Sequence, residues 1–162
     1  MNDYIINTID NVALVTMNGV ANTADALAKI FTAIGDAKIN IDMICQTAPY
    51  KDRINLSFTI DERDLTSILT VVGGLKKDIP ELVTEVAPGN AKVTIFSELL
   101  KTESGVAAKV FSTISENGMQ IKLITTSDVE ISLLVSAVYA EKMAKTLSSE
   151  LGIRSEELGI NY

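Results

Sequence analysis

The residues able to do chemistry in this chain are few, and their spacing suits holding a small zwitterion rather than transforming one. Histidine is absent and cysteine occurs once, as Cys45. Without an imidazole there is no Ser–His or Cys–His pair to activate a nucleophile, and no His-ligated metal site. Cys45 lies in an apolar run with no activating neighbour, so it reads as a packed thiol. No Asp/Glu-rich loop of calcium-binding type occurs, and no cofactor is expected. What remains is recognition. Asp42 sits inside Ile41-Asp42-Met43-Ile44, an acid on an otherwise apolar strand. Alternation alone turns it to solvent; a ligand's ammonium would give it a partner. Asn22-Thr23-Ala24-Asp25 opens a helical pattern, and the unpaired N–H groups of a helix start suit a carboxylate. A free amino acid presents both groups side by side.

These residues need elements to position them, and the chain supplies the elements twice. Ala28-Lys29-Ile30-Phe31 recurs eighty positions later as Ala108-Lys109-Val110-Phe111. At the same offset Ile34 matches Ile114, Asn40-Ile41 matches Gln120-Ile121, and Met43-Ile44 matches Leu123-Ile124. In the first copy, Asn11–Asn18 reads as a strand and Thr23–Asp36 as a helix. Its buried face carries Leu27, Ile30, Phe31 and Ile34; Asn22 or Thr23 caps it and Gly35 suits its end. Asn40–Thr47 and Arg53–Ile60 read as strands, the latter alternating Ile54, Leu56, Phe58 and Ile60. Asp64–Lys76 reads as a helix with Leu65, Ile68, Leu69, Val72 and Leu75 inward, Gly73-Gly74 marking its end. Glu81–Val86 closes the unit, giving the order βαββαβ.

The second copy offers strands at Lys92–Ser97, Gln120–Thr126 and Val129–Val135, with helices at Ser104–Asn117 and Ala140–Leu151. It lacks a fourth strand, because the sequence turns polar at Arg154-Ser155-Glu156-Glu157. Tyr4–Ile9 is a strand-like run with no role in the first unit, so it is expected to complete the second unit's sheet. The fold class is α+β: two ferredoxin-like units, each an antiparallel sheet backed by helices. Ala87-Pro88-Gly89-Asn90 is the only linker candidate. The domains are expected at residues 10–87, at 3–9 plus 91–152, and as a C-terminal tail at 153–162.

Within this frame the first unit's candidate contacts are Asn22, Asp25, Leu27, Asn40, Ile41, Asp42 and Gln46. In the second unit Ser104, Gly105 and Val106 match the helix start, and Gln120, Ile121 and Lys122 match the strand. Lys122 stands where the first copy has Asp42, so the two units should not bind one ligand in one way. Thr125-Thr126-Ser127 reads as β propensity and turn formation. Gln46 fits an ordinary outward strand residue as readily as a contact.

Composition narrows the classes of function. A formal charge of −7 repels phosphate backbones, so no nucleic-acid partner is expected. No apolar run approaches the roughly 20 residues of a membrane span, so no membrane association is expected. The start Met1-Asn2-Asp3 is unlike a signal peptide, and a single cysteine suits a reducing cytoplasm. A bare sheet edge can pair with a second copy, so a homodimer is expected. A small enzyme on this fold would need a polar acid/base constellation, and none is visible.

The residues also resemble a known family. Val-Ala-Ala-Lys-Val-Phe at 106–111, Gln-Ile-Lys-Leu-Ile-Thr-Thr-Ser at 120–127 and Val-Glu-Ile-Ser at 129–132 resemble the second ACT domain of aspartokinase. Ala-Lys-Ile-Phe at 28–31 and Ile-Asn-Ile-Asp-Met-Ile at 39–44 resemble the first. The likeness runs from about Tyr4 to Gly152. It implies a non-catalytic allosteric module for feedback inhibition by lysine or threonine, bound between ACT units, with a kinase catalytic subunit as possible partner. It implies that Asp42 meets the effector's ammonium and Ile41 lines the site. Gln46 and the Asn22–Leu27 loop would add contacts, as would Gln120 and Ile121. The chain departs from the pattern at Ala24-Asp25, where the family has Pro-Gly. It departs again at Gln120 and Lys122, where the family has Asn and an acid. The kinase's catalytic domain is not in this chain. The alternative is a stand-alone ACT homodimer that senses another small metabolite without a kinase.

Overall fold

The computed structural model describes residues 4–153. In chain order the elements are β1 (Ile5–Ala21), α1 (Ala24–Asp36), β2 (Ile44–Gln46), β3 (Arg53–Asp61), α2 (Leu65–Asp78), β4 (Val83–Phe96), α3 (Val106–Glu116), β5 (Leu123–Thr126), β6 (Glu130–Ser136) and α4 (Ala137–Leu151). The chain divides into two compact units. The first is Asn11–Pro88; the second joins the N-terminal segment through Asp10 to the chain from Gly89 onward. The strand order is β2-β3-β1-β4 in the first and β1-β4-β6-β5 in the second. The pairs β1–β3, β2–β3, β4–β6 and β5–β6 are antiparallel.

Each unit buries its own apolar face. In the first, Ala13, Val15 and Met17 of β1 and Ile54, Leu56, Phe58 and Ile60 of β3 meet Ile30 and Ile34 of α1 and Ile68, Val72 and Leu75 of α2. The alternation of β3 and the three/four spacing of the helices produce this directly. The Phe31 and Phe58 rings stack tilted, with centroids 6.1 Å apart. In the second unit Val93, Ile95, Ile131, Leu133 and Val135 meet Val110, Ile114, Met143 and Leu147. Ile6 is buried in this second core and Tyr4 packs against it. The N-terminal strand therefore completes the second unit, and each side chain of this size adds about 1.5–3 kcal/mol by burial.

Several local expectations are corrected. Of the expected runs Tyr4–Ile9 and Asn11–Asn18, all but Tyr4 belongs to one strand, β1, which continues through Asn11 in the left-handed region at φ 58. Asparagine tolerates that conformation better than most residues. The segment Ala87-Pro88-Gly89-Asn90 does join the two units, whose boundary falls between Pro88 and Gly89, but as the middle of β4 rather than as a loop. Pro88 lacks an N–H and precedes the β4–β6 ladder, which starts at Asn90. The strand expected at Asn40–Thr47 is assigned only over Ile44–Gln46. Bonds from Asp42 N–H to the Thr59 carbonyl (3.1 Å) and from Thr47 N–H to the Asn55 carbonyl (2.9 Å) carry the pairing past both ends.

The helix ends also differ from expectation. Gly73-Gly74 does not stop α2, which runs on to Asp78 and ends beside Ile79, the residue before Pro80. Gly35 lies within α1; the left-handed residue beyond that helix is Lys38, at φ 60. Leu69, expected inward on α2, is 57% exposed. The predicted tail at 153–162 lies outside the described residues beyond Ile153, as does Asp3. No helix among the described residues is long and apolar enough to cross a membrane.

Candidate functional site

The first unit's helix start is tied down by backbone and side-chain bonds. Thr23 takes the cap: its hydroxyl accepts from Ala26 N–H at 3.1 Å. Asn22 N–H donates to the Asp52 carbonyl at 2.9 Å, which fastens the helix start to the β2–β3 hairpin. The side chains of Asn22 and Asp25 are exposed, while Leu27 packs against the first core. Gln46 is exposed on β2 opposite Leu56, itself opposite Met17 of β1.

Asn40, Ile41 and Asp42 stand at the other end of the same unit. Asn40 and Asp42 are exposed, and Ile41 packs against the core. The register fixes the separation. Asp42 bonds to Thr59, whereas the end of β1 at Ala21 lies opposite Arg53. The six residue steps of extended strand from Arg53 to Thr59 amount to roughly 20 Å at about 3.3 Å each. Within this unit the structure brings Asn22, Asp25 and Leu27 together, sets Gln46 between, and holds Asn40, Ile41 and Asp42 apart from them.

The second unit repeats the frame with different side chains. Lys122 N–H donates to the Leu134 carbonyl at 2.8 Å, the counterpart of Asp42 on Thr59. Gln120 is exposed and Ile121 packs against the second core. The Lys122 ammonium donates to Asn90 Oδ1 at 2.5 Å, and Asn90 is 0% exposed. An amide that deep needs hydrogen-bond partners, and a charged donor is a strong one.

The start of α3 is where the second unit is concave. Gly105 precedes the helix at φ 91, with no side chain capping it. A cavity of about 240 Å³ opens there, lined by Tyr4, Glu103, Ser104, Val106, Lys109 and Leu151 among others. The Tyr4 hydroxyl reaches Glu103 at 3.5 Å, the outer limit of a hydrogen bond. Ser104, Gly105 and Val106 are anticipated by the repeat; Tyr4, Glu103 and Lys109 are not. The signal lies in loop length: Ser97–Gly105 connects strand to helix where the first unit uses Asn22-Thr23 alone.

Nearby, Leu100, Lys101, Thr126 and Asp128 line a groove of about 520 Å³. The hydrogen bond from Lys101 to Glu98, at 2.7 Å, raises the lysine above its ordinary pKa and keeps it cationic. Among the described residues no group of three or more His, Cys, Asp or Glu side chains could hold a metal ion. Cys45 is half-buried, and Met43, Met119 and Met143 are buried.

Comparison with known proteins places this geometry among relatives. A family model described as the ACT domain matches residues 14–73 and again 93–151. Aspartokinase from Bacillus sp. strain MGA3 is 33% identical over 138 residues, covering 85% of this chain and 34% of that protein. The chain thus spans about a third of the length of the curated relatives it matches. Among solved structures, the chain is similar to the ligand-free regulatory subunit of aspartate kinase from Thermus thermophilus. The TM-score is 0.79 at 26% identity, covering 90% of this chain and 95% of that one. A chain from a structure of aspartokinase alpha and beta subunits aligns with TM-score 0.83 and 27% identity, covering 92% of this chain and 98% of that one.

Proposed function

Because this chain belongs to the ACT-domain family and carries the domain twice, we propose that it is the allosteric regulatory part of an aspartokinase, a non-catalytic sensor of lysine or threonine. The observation that carries the reading is coverage. The match to the solved regulatory subunit runs over nearly the whole of both chains, and the match to the full-length enzymes is confined to about a third of each. The chain is then either one subunit beside a catalytic one or the regulatory portion of a longer protein. The same reading makes it a cytoplasmic homodimer.

In this reading Asp42 receives the ligand's α-ammonium, and Ile41 and Asn40 flank it. Within one unit Asp42 lies roughly 20 Å from the α1 start, so the N–H groups that meet the same ligand's carboxylate, with Asn22, Asp25 and Leu27 around them and Gln46 on β2, come from the second copy of the homodimer. Gln120 and Ile121 add contacts from the second unit. Binding would act by favouring one arrangement of the regulatory part over another, which the kinase reads as a change in activity.

Calorimetric titration of the chain with L-lysine and L-threonine tests this. We expect saturable binding of at least one of them, weakened about tenfold by Asp42→Asn, which corresponds to about 1.4 kcal/mol. Flat heats with both would overturn the reading, as would turnover of aspartate and ATP by the chain alone.

A further inference from the structure

We infer that Asn55 and Arg53 are positioning residues for ligand recognition: from β3 they clamp Gly19, the bulged residue of β1, and so hold the start of α1 where its N–H groups can receive an amino acid's carboxylate. The inference rests on the amino-acid-sensing role proposed above and adds to it residues that touch no ligand but aim the groups that do.

The clamp repairs a break in the ladder. Met17 pairs with Leu56 and Val20 with Ile54, so Asn18 and Gly19 together face the single residue Asn55. That two-against-one register is a β-bulge, and Gly19 takes its left-handed place at φ 73. A bulged residue is left without its ladder partners. Here side chains of the facing strand replace them: Gly19 N–H donates to Asn55 Oδ1 at 3.2 Å, and Arg53 Nη1 donates to the Gly19 carbonyl at 2.9 Å. Asn55 is itself gripped through its backbone. Its N–H donates to Thr47 Oγ1 at 3.0 Å, and its carbonyl accepts from Thr47 N–H at 2.9 Å. One residue thus joins the β1 bulge, β3 and the segment just past Gln46.

What the bulge controls follows from how little chain lies beyond it. β1 ends at Ala21 and α1 begins at Ala24, so Asn22-Thr23 alone connects them. Thr23 N–H bonds to the Ala21 carbonyl at 2.8 Å and Asn22 N–H to the Asp52 carbonyl at 2.9 Å, which leaves no slack between the strand's end and the helix cap. The second unit is built otherwise. Its β4–β6 ladder runs from Asn90 to Phe96 without a register shift, and the loop Ser97–Gly105 separates β4 from α3. A clamp on that strand would have no purchase on the helix. In the first unit a tilt of the β1 end carries the N–H groups of α1 with it, while Ile30 and Ile34, buried on the same helix, keep its body on the core. Hydrogen bonds to a carboxylate weaken steeply with misalignment. Asn55 and Arg53 are both exposed, so releasing Gly19 loosens the aim of the helix without emptying the core.

Calorimetry on the whole chain with L-lysine, L-threonine and the two corresponding amides, which keep the ammonium and lack the carboxylate, reads this aim directly. The unmodified chain should bind at least one of the acids, and more tightly than its amide. Asn55→Leu is similar in size and cannot accept from Gly19 N–H. In that variant affinity for the acid should fall about tenfold toward that of the amide, while affinity for the amide stays as it was. Asn55→Asp returns an acceptor at the same reach and should restore the preference for the acid. Should Asn55→Leu fail to fold by circular dichroism, Arg53→Met removes the other half of the clamp and should give the same selective loss. A folded variant that binds the acid as the unmodified chain does, or that loses acid and amide equally, would overturn this inference and leave the sensing role intact. So would an Asn55→Asp chain as weak as Asn55→Leu, or an unmodified chain that binds acid and amide alike. No binding of either acid by the unmodified chain would overturn the sensing role and this inference together.

Discussion

Lys38 and Gly118 occupy the same left-handed position in the two units, at φ 60 and φ 62, eighty residues apart. Each sits just past the first helix of its unit. Ile39 N–H returns to the Ile34 carbonyl at 3.3 Å, and Met119 N–H to the Ile114 carbonyl at 3.1 Å. Both Ile39 and Met119 are buried, the apolar contact that accompanies this type of helix end. The first unit therefore makes with a lysine a turn that the second makes with a glycine.

The substitution Lys38→Gly should stabilise the protein by about 1 kcal/mol, because a side chain at positive φ costs about 1–2 kcal/mol, partly offset by the added freedom of the unfolded chain. Gly118→Ala should destabilise by a similar ~1 kcal/mol; a Cβ there would meet nothing within 4 Å, so the loss is backbone strain alone. Urea unfolding of both variants checks the pair. Equal and unchanged midpoints would contradict the argument.

A second strained turn lies at the tip of the β2–β3 hairpin. Lys51 and Asp52 both have positive φ, 49 and 57, between Tyr50 and Arg53, which bond reciprocally at 2.9 and 3.0 Å. That is the two-residue turn for which Asn-Gly is the favoured pair. The Lys51 ammonium lies 5.2 Å from the Tyr50 ring centroid, a modest attraction that the substitution removes. The double variant Lys51→Asn, Asp52→Gly should raise stability by about 1 kcal/mol, or about 2–4 °C in Tm for a chain of this size. The Asp52 carbonyl still receives Asn22 N–H, so α1 should keep its start. A Tm at or below that of the unmodified chain would refute this.

Asp61 provides a pH dependence of known sign. Its carboxylate accepts from Arg63 Nε at 3.0 Å and from a second guanidinium nitrogen at 2.8 Å, and also from Arg63 N–H at 2.8 Å. These bonds, the side-chain ones foremost, hold its pKa below the ordinary 3.8. A group titrating lower in the folded state contributes stability above its unfolded pKa and loses it as pH falls through the folded value. The Tm difference between the unmodified chain and Asp61→Asn should be constant from pH 7 to 5 and close below about pH 4. A difference that widens in acid would reverse the assignment. The Arg63 side chain is 87% exposed and that of Asp61 37%, so the effect should also shrink in high salt.

Much of this architecture was legible in the sequence because period and offset carry it. Ile54, Leu56, Phe58 and Ile60 alternate, and all face the core. Ile30 and Ile34 of one helix and Val110 and Ile114 of the other share a face, as the repeat requires. The orphan run at Tyr4–Ile9 had to pair somewhere, and the second unit lacked a strand. Pro88-Gly89 misled because Pro and Gly usually interrupt strands. Here the proline falls outside the β4–β6 ladder and the glycine takes φ 79 without ending β4. Gly73-Gly74 misled likewise, since tertiary packing of Val72 and Leu75 carries α2 past two weak helix formers. The candidate contacts were legible as residue types but not as one place. Asn22 and Asp42 lie near opposite ends of their unit, a consequence of a 13-residue helix between them that no local pattern expresses.

If the proposed reading holds, Asp25 sets stability against recognition at the helix start. It is exposed in the first turn of α1, where a negative charge offsets the positive end of the helix by about 0.3–1 kcal/mol. The same charge opposes a ligand carboxylate approaching those N–H groups, and its side chain stands where the resembled family has glycine. Asp25→Gly should therefore lower stability by about 1–1.5 kcal/mol, combining the lost charge with the poor helix propensity of glycine. It should at the same time tighten amino-acid binding several-fold. Asp25→Asn separates the two causes: the charge goes, a side chain stays, and affinity should rise by less than in the glycine variant. Calorimetric Kd and thermal unfolding on the same preparations read both sides. If neither substitution tightens binding, the ligand's carboxylate does not sit at the α1 start.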